Sequence, residues 1–556
     1  PRVTIEKVSN DAVTAEPEMH TAETKEDTPQ YADTDMVRVS ITLAGASTID
    51  AGYATRSIAN NAAADIYRTG LKVQQQAMAQ RISQDVLGGE ALDVVWNMTL
   101  LTNTISANVP YGKIEAIEAL DGVASVTLEN RYEPDVVSTG DADPDMATSG
   151  AMIGSTAAWA DGYTGAGSRI AVIDTGTDTD HISFDGKAFE YSLEQLAADA
   201  GKSKDEFVAS LDLLDVDEIA AVLPKLNISK LVPDASKLYL TSKLPFAFNY
   251  VDEDFDITHD NDKQGEHGSH VAGIAAANAY IQQDDGTFAS ALESVKVQGV
   301  APDAQLVIMK VFGGKGGAYD SDYMAAIEDA IVLGCDSVNL SLGSGSPGFS
   351  RVDKDYAEIM DNIVKSGTVV SMSAGNSGYW AENSQTRYLY ADDVSMQTDG
   401  SPGSFTNSLT VASVNNDGFT GSYFTVGDMN VFWNETDYSN AKLETLAGTP
   451  DYVILPAGVV GNASDFEGID VTGKVVFVQR GSIAFTDKAA NAVNAGAIAT
   501  VVYNNVSGTI NIDLSNYTKT APCVSITEAD GLAIWEASTK SEDGKYATGT
   551  MTVADG

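Results

Sequence analysis

Four short apolar runs dominate the middle of the chain: Arg169 to Ile173 (RIAVI), Leu306 to Phe312 (LVIMKVF), Ser337 to Leu342 (SVNLSL) and Thr368 to Met372 (TVVSM). Arg169 to Ile173 is a continuous apolar run, and all four predict buried strands. Helix-like stretches lie between them, such as His270 to Tyr280 and Met324 to Leu333. Apolar strands alternating with helices predict a parallel α/β sheet. Sites in open sheets of this kind form outside the carboxyl ends of the strands.

The flanks have a different texture. Residues 1–35 are polar and acidic and read as a flexible arm. Over residues 36–133 the order is strand (Met36 to Leu43), helix (Ile58 to Ile82), strand (Leu92 to Met98), strand (Ile105 to Val109), helix (Tyr111 to Leu120) and strand (Val123 to Leu128). That is the split βαβ, ferredoxin-like order. Residues 134–150 are acidic, with Pro and Gly, and read as a linker. The α/β region is expected over 151–440, and a separate small unit of short strands around one helix over 441–556.

Charge excludes one large class of function. Seventy-nine acidic residues face 33 basic ones, a net charge of −46. A nucleic-acid backbone needs clustered Lys and Arg, so no nucleic-acid partner is expected. No apolar run is long enough to span a membrane. Cys335 and Cys523 do not make a disulfide framework. The chain opens at Pro1 without an apolar signal core, and a signal peptide already removed is one account of that.

Three motifs carry chemistry. Asp174 ends the first apolar run and is followed by Thr175-Gly176. His267 opens a small-residue helical stretch, His267-Gly268-Ser269-His270-Val271-Ala272-Gly273-Ile274. A zinc pair is not expected at His267 and His270, because Gly268 stands where the Glu of His-Glu-x-x-His would be. Asn376, in Ser373-Ala374-Gly375-Asn376-Ser377-Gly378, follows the fourth run, where a side-chain amide can face a developing oxyanion.

Together, IAVIDTG (170–176), HGSHVAGI (267–274), SVNLSLG (337–343) and SAGNSG (373–378) resemble the subtilisin-like serine peptidases, in that family's order. The resemblance implies that Asp174 orients His267, that His267 is general base and then general acid, and that Asn376 donates to the oxyanion. It implies that Ser341, Leu342 and Gly343 line the substrate backbone, with Gly313 and Gly316 in the opposite edge strand. An extended polypeptide substrate would lie between the two edges. The ferredoxin-like unit resembles the family's inhibitory propeptide, which places maturation within 134–150. GKVVFVQRGSIAFTDKAANAVNAGAIATVVYNN (473–505) resembles the protease-associated (PA) domain inserted in the lactocepin and C5a-peptidase branch. That branch is extracellular, secreted or attached to the cell wall.

The chain also departs from the family. The nucleophile motif Gly-Thr-Ser-Met-Ala is missing, so the chain is expected to stop before the catalytic Ser and to be inactive alone. A catalytically inactive pseudopeptidase or protein-binding module is the alternative. A helical insertion over about 190–245 is expected to decorate the cleft rim. Ser183 stands where many members place a calcium-ligating Asp. The acidic run Asp252 to Asp262 lacks the Gly and terminal Glu of an EF-hand loop and reads as solvated. No cofactor is required and no metal ligand is assigned, although the acidic surface leaves room for calcium.

Overall fold

The computed structural model describes residues 31–132, 146–344, 354–376, 399–414, 422–434 and 441–553, apart from single positions at 57, 296, 447, 507, 509, 511, 513, 515 and 516. Most of the expected acidic arm and of the maturation linker lies outside these residues.

The N-terminal unit is an antiparallel sheet of β1 (Met36–Leu43), β2 (Asp93–Met98), β3 (Thr104–Pro110) and β4 (Val123–Leu128), in the order β2-β3-β1-β4. Strand β1 alternates strictly, sending Val37, Val39, Ile41 and Leu43 into the core. Helix α1 (Ala62–Asp85) starts four residues later than expected. The Asn61 side chain caps it by accepting from Ala63 N and Ala64 N, and Ile58 falls in a preceding 3₁₀ turn. The second helix is shorter than expected: a 3₁₀ turn at Tyr111–Lys113 runs into α2 (Ile114–Glu118).

The central sheet holds β6 (Arg169–Asp174), β7 (Phe246–Asn249), β8 (Gln305–Lys310), β10 (Ser337–Leu340), β11 (Val369–Ser373) and β12 (Leu409–Val411). Its order is β12-β11-β10-β6-β8-β7, and every pairing is parallel. Helix α3 (His267–Ala276) packs on the end of β6, and α4 (Asp320–Val332) lies between this sheet and the N-terminal unit. All thirteen residues of α4 are buried, which an isolated amphipathic helix would not show.

The cover over α4 is polar as well as apolar. Glu328 accepts from three successive backbone N–H groups, those of Thr99, Leu100 and Leu101, at 3.2, 2.7 and 2.7 Å. At the other end, Glu129 accepts from Ser321 N at 3.2 Å, while Asp320 accepts from Asn130 N at 2.7 Å. Trp96 Nε1 donates to Asp322 at 2.8 Å, and Arg38 pairs with Asp322 at 3.5 Å. The two-residue strand β5 (Arg131–Tyr132) then pairs antiparallel with β9 (Ala318–Tyr319).

Burial pushes Asp320 up to about 7, with the Glu129 charge acting in the same direction; the donors at Asn130, Tyr132 and Tyr323 oppose it without cancelling it. Burial also pushes Asp322 up to about 6, against Arg38. A carboxyl raised in the folded state holds an extra proton there between its unfolded and folded values. Its contribution to stability is therefore full below about pH 4 and declines as pH rises towards 7. Asp320→Asn should flatten that decline, so that melting midpoints at about pH 5 and pH 8 converge relative to the parent. Parallel midpoint-against-pH curves for the two proteins would refute the assignment.

The later part of the helical insertion goes somewhere other than expected. Helices Gly186–Asp199, Lys204–Val208 and Val216–Val222 are present. Its later part reaches the amino ends of the strands, not the rim of the cleft. Arg169, the first residue of β6, bonds Asp212 at 2.9 Å, and Asn227 N donates to Asp329 at 2.7 Å. A cavity of about 770 Å³ opens there, lined by Arg56, Arg169 and Glu218 among others. It sits at the far end of β6 from Asp174.

A third unit places β13 (Asp451–Ile454), β14 (Val475–Gln479), β15 (Ala499–Tyr503) and β16 (Cys523–Ile526) in parallel, and β17 (Thr539–Lys540) and β18 (Ala547–Thr550) complete the sheet on the β13 side. Strands β14 and β15 are buried at every position, as their continuous apolar runs require.

Candidate active site

Asp174 is the last residue of β6 and is 1% exposed. His267 is the first residue of α3. Its Nδ1 lies 2.8 Å from Asp174 Oδ1, and the imidazole keeps 21% of its surface exposed. A buried carboxylate thus grips one ring nitrogen of a half-buried imidazole. Thr175 N donates to the same Oδ1 at 2.7 Å, while Oδ2 has no hydrogen-bond partner among the described residues.

Two glycines permit the approach of helix to strand. A Cβ on Gly268 would stand 2.1 Å from Gly176 O, and one on Gly176 would stand 2.1 Å from Ile257 O. Gly176 also adopts φ 101°, which disfavours any side chain. The Thr175 hydroxyl then bridges both flanks of His267, donating to Gly265 O at 3.1 Å and accepting from Gly268 N at 2.9 Å. Gly268→Ala should force α3 off the strand end. The expected result is loss of the Asp174–His267 hydrogen bond, read as loss of the low-field imidazole proton resonance, with far-ultraviolet circular dichroism unchanged. A retained resonance would show that the backbone absorbs the methyl group.

The remaining expected site residues lie along the same carboxyl edge. Ser341, Leu342 and Gly343 directly follow β10, which neighbours β6. Leu342 is buried, its carbonyl accepts from Ser373 Oγ at 3.1 Å, and Asn339 donates to Ser341 Oγ at 2.9 Å. Asn376 is exposed, three residues past the end of β11. The structure joins Asp174 to His267 directly and brings Asn376 to the same edge, two strands away.

Gly313 and Gly316 form a turn and not a strand. They exchange backbone hydrogen bonds at 3.0 and 2.9 Å, and a Cβ on Gly316 would collide with the Arg131 guanidinium. The adjoining edge strand is β9, which β5 already occupies. No group of three or more His, Cys, Asp or Glu able to hold a metal occurs among the described residues. Within the run Asp252 to Asp262, Asp252 accepts from Asn249 and from the backbone N–H groups of Gly314 and Lys315, Asp256 accepts from Asn261, and Asp262 pairs with Lys310.

One supporting pair had not been singled out in the sequence. Lys310 is 1% exposed, and its Nζ lies 2.7 Å from Asp262 Oδ2. The signal was present: a lysine within the apolar run LVIMKVF has to be paired if it is buried.

The site is thus a buried carboxylate and an imidazole joined at the carboxyl edge of a parallel α/β sheet. The subtilase family (peptidase S8) profile matches residues 165–552, and the chain belongs to that family. Among curated relatives, the minor extracellular protease Vpr of Bacillus subtilis is 31% identical over 443 residues, 77% of this chain and 43% of the relative. The PII-type proteinase of Lacticaseibacillus paracasei is 30% identical over 78% of this chain and 21% of the relative. The C5a peptidase of Streptococcus pyogenes serotype M3 is 31% identical over 51% of this chain and 24% of the relative. The chain therefore spans less than half the length of each. No helix among the described residues is long and apolar enough to cross a membrane.

Proposed function

We propose that the chain is the front part of an extracellular serine endopeptidase precursor, secreted or held at the cell wall. The observation that carries this is the 2.8 Å contact between a buried Asp174 and a half-buried His267 at the sheet's carboxyl edge. An imidazole so held keeps one tautomer, takes a proton from a nucleophile and passes it to a leaving amine. Asn376 supplies an oxyanion donor, and Ser341 to Gly343 receive the substrate backbone. The N-terminal unit acts as an intramolecular inhibitor: its tail, β5, fills the edge at β9 that an extended peptide would use. The unit from about 441 is a PA domain. None of the serines after Asn376 sits in a Gly-Thr-Ser-Met-Ala pattern, so the nucleophile is assigned to sequence beyond Gly556.

The test is to express the natural gene product through the residues that follow Gly556 and treat it with a fluorophosphonate, which labels an activated serine. Labelling abolished by His267→Ala supports the peptidase. A folded product that takes no label yet binds extended peptides would establish the non-catalytic binding module instead.

A further inference from the structure

Burying a charge is costly, and a buried ion pair repays that cost only when its geometry is held closely. Lys310 and Asp262 form such a pair, with side chains 1% and 5% exposed and 2.7 Å between Nζ and Oδ2. The place of this pair in the fold is specific. Lys310 ends β8 and stands directly opposite Asp174 in the parallel register. Val311 N donates to Asp174 O at 2.9 Å, so the two strand ends are joined there. The Lys310 side chain runs beneath Gly176, its Cδ 3.1 Å from where a Cβ would sit. Its ammonium also donates to the carbonyl of Thr175, the residue whose hydroxyl brackets His267.

Asp262 lies on the loop that delivers His267. That loop is fastened at successive points before the imidazole: Asp262 to Lys310, Gln264 Nε2 to Gly313 O at 3.1 Å, and Gly265 O to Thr175 Oγ1. Asp262 Oδ1 also accepts from Gln264 N at 2.8 Å, so the carboxylate shapes the turn towards His267. One cation thereby ties the residue after Asp174 to the segment before His267.

We propose that the Lys310–Asp262 pair is a positioning device for the Asp174–His267 couple, retained for the place it gives the imidazole and not for stability. The proposal rests on the catalytic reading of that couple, but its test does not require turnover. An apolar pair of similar volume in place of a buried ion pair is commonly neutral or stabilising. The double variant Lys310→Met/Asp262→Leu should therefore keep the parent's melting midpoint within a few degrees, or exceed it.

The readout is the low-field proton resonance of His267 Nδ1–H, assigned by its absence in His267→Ala. In the double variant this proton should exchange with water at least about tenfold faster, since the loop loses its charged anchor. A folded double variant whose resonance keeps the parent's position and exchange rate would overturn the proposal. If the double variant melts far below the parent, Asp262→Asn decides. Asn retains the shape and an acceptor for Lys310, and the same two readings apply. A parent chain with no low-field resonance at all would count against the catalytic couple itself, so the two failures are distinguishable.

Discussion

Asp174→Asn should lower kcat of the serine-bearing protein by about ten-thousandfold and leave KM nearly unchanged. Asp174 Oδ1 receives both His267 Nδ1 and Thr175 N. An Asn has two ways to sit there. With its oxygen in that place it keeps both hydrogen bonds, but its NH2 group is buried where Oδ2 has no partner among the described residues. With its NH2 group there, it presents a donor to Nδ1 and enforces the wrong tautomer. Either way the negative charge that stabilises an imidazolium is gone. Substrate binding is spared because Asp174 is buried beneath the imidazole. Steady-state kinetics with a peptide substrate check this; a loss of less than about tenfold would mean that His267 does not work through Asp174.

The second large effect belongs to stability. Glu328→Ala should destabilise the chain by about 3 to 5 kcal/mol. Glu328 is fully buried, and its two oxygens serve Thr99 N, Leu100 N and Leu101 N, with Asn227 Nδ2 at 3.2 Å. Alanine leaves these donors without an acceptor. Each buried, unsatisfied N–H costs roughly 1–3 kcal/mol, and the costs do not simply add because the segment can relax. The first thermal transition should fall accordingly, and protease should cut first near residues 99–101. An unchanged midpoint would mean that water replaces the carboxylate without penalty.

The sheet was legible where burial leaves a mark on composition. RIAVI and LVIMKVF became β6 and β8, buried at nearly every position because a strand covered on both faces has no polar side to show. SVNLSL and TVVSM became β10 and β11, which alternate between buried and partly exposed positions and so correct the expectation of buried strands there. The N-terminal strands were legible for the opposite reason, since β1 alternates apolar core positions with a polar face that meets α4 through Arg38. Asp174 and His267 could be found because each stands beside a glycine that close approach requires, Gly176 and Gly268. What sequence hid was destination. The insertion's later part runs to the amino ends of the strands through contacts such as Arg169 with Asp212, which no local pattern announces. Gly313 to Gly317 looked like an edge strand, but two cross-turn hydrogen bonds fold it on itself. The Lys310–Asp262 pair joins two distant segments, so neither residue identifies its partner in advance.

Helix α4 meets its cover through Asp320, Asp322 and Glu328. Carboxyl groups are awkward to enclose but harmless to wet. If the N-terminal sheet departs, Asp320 and Asp322 regain water and, at neutral pH, their charge. Parting would also bare the apolar side chains that Trp96, Met98, Leu100 and Leu101 cover, so neutral surroundings loosen the seam through its carboxyls while its apolar part still favours closure.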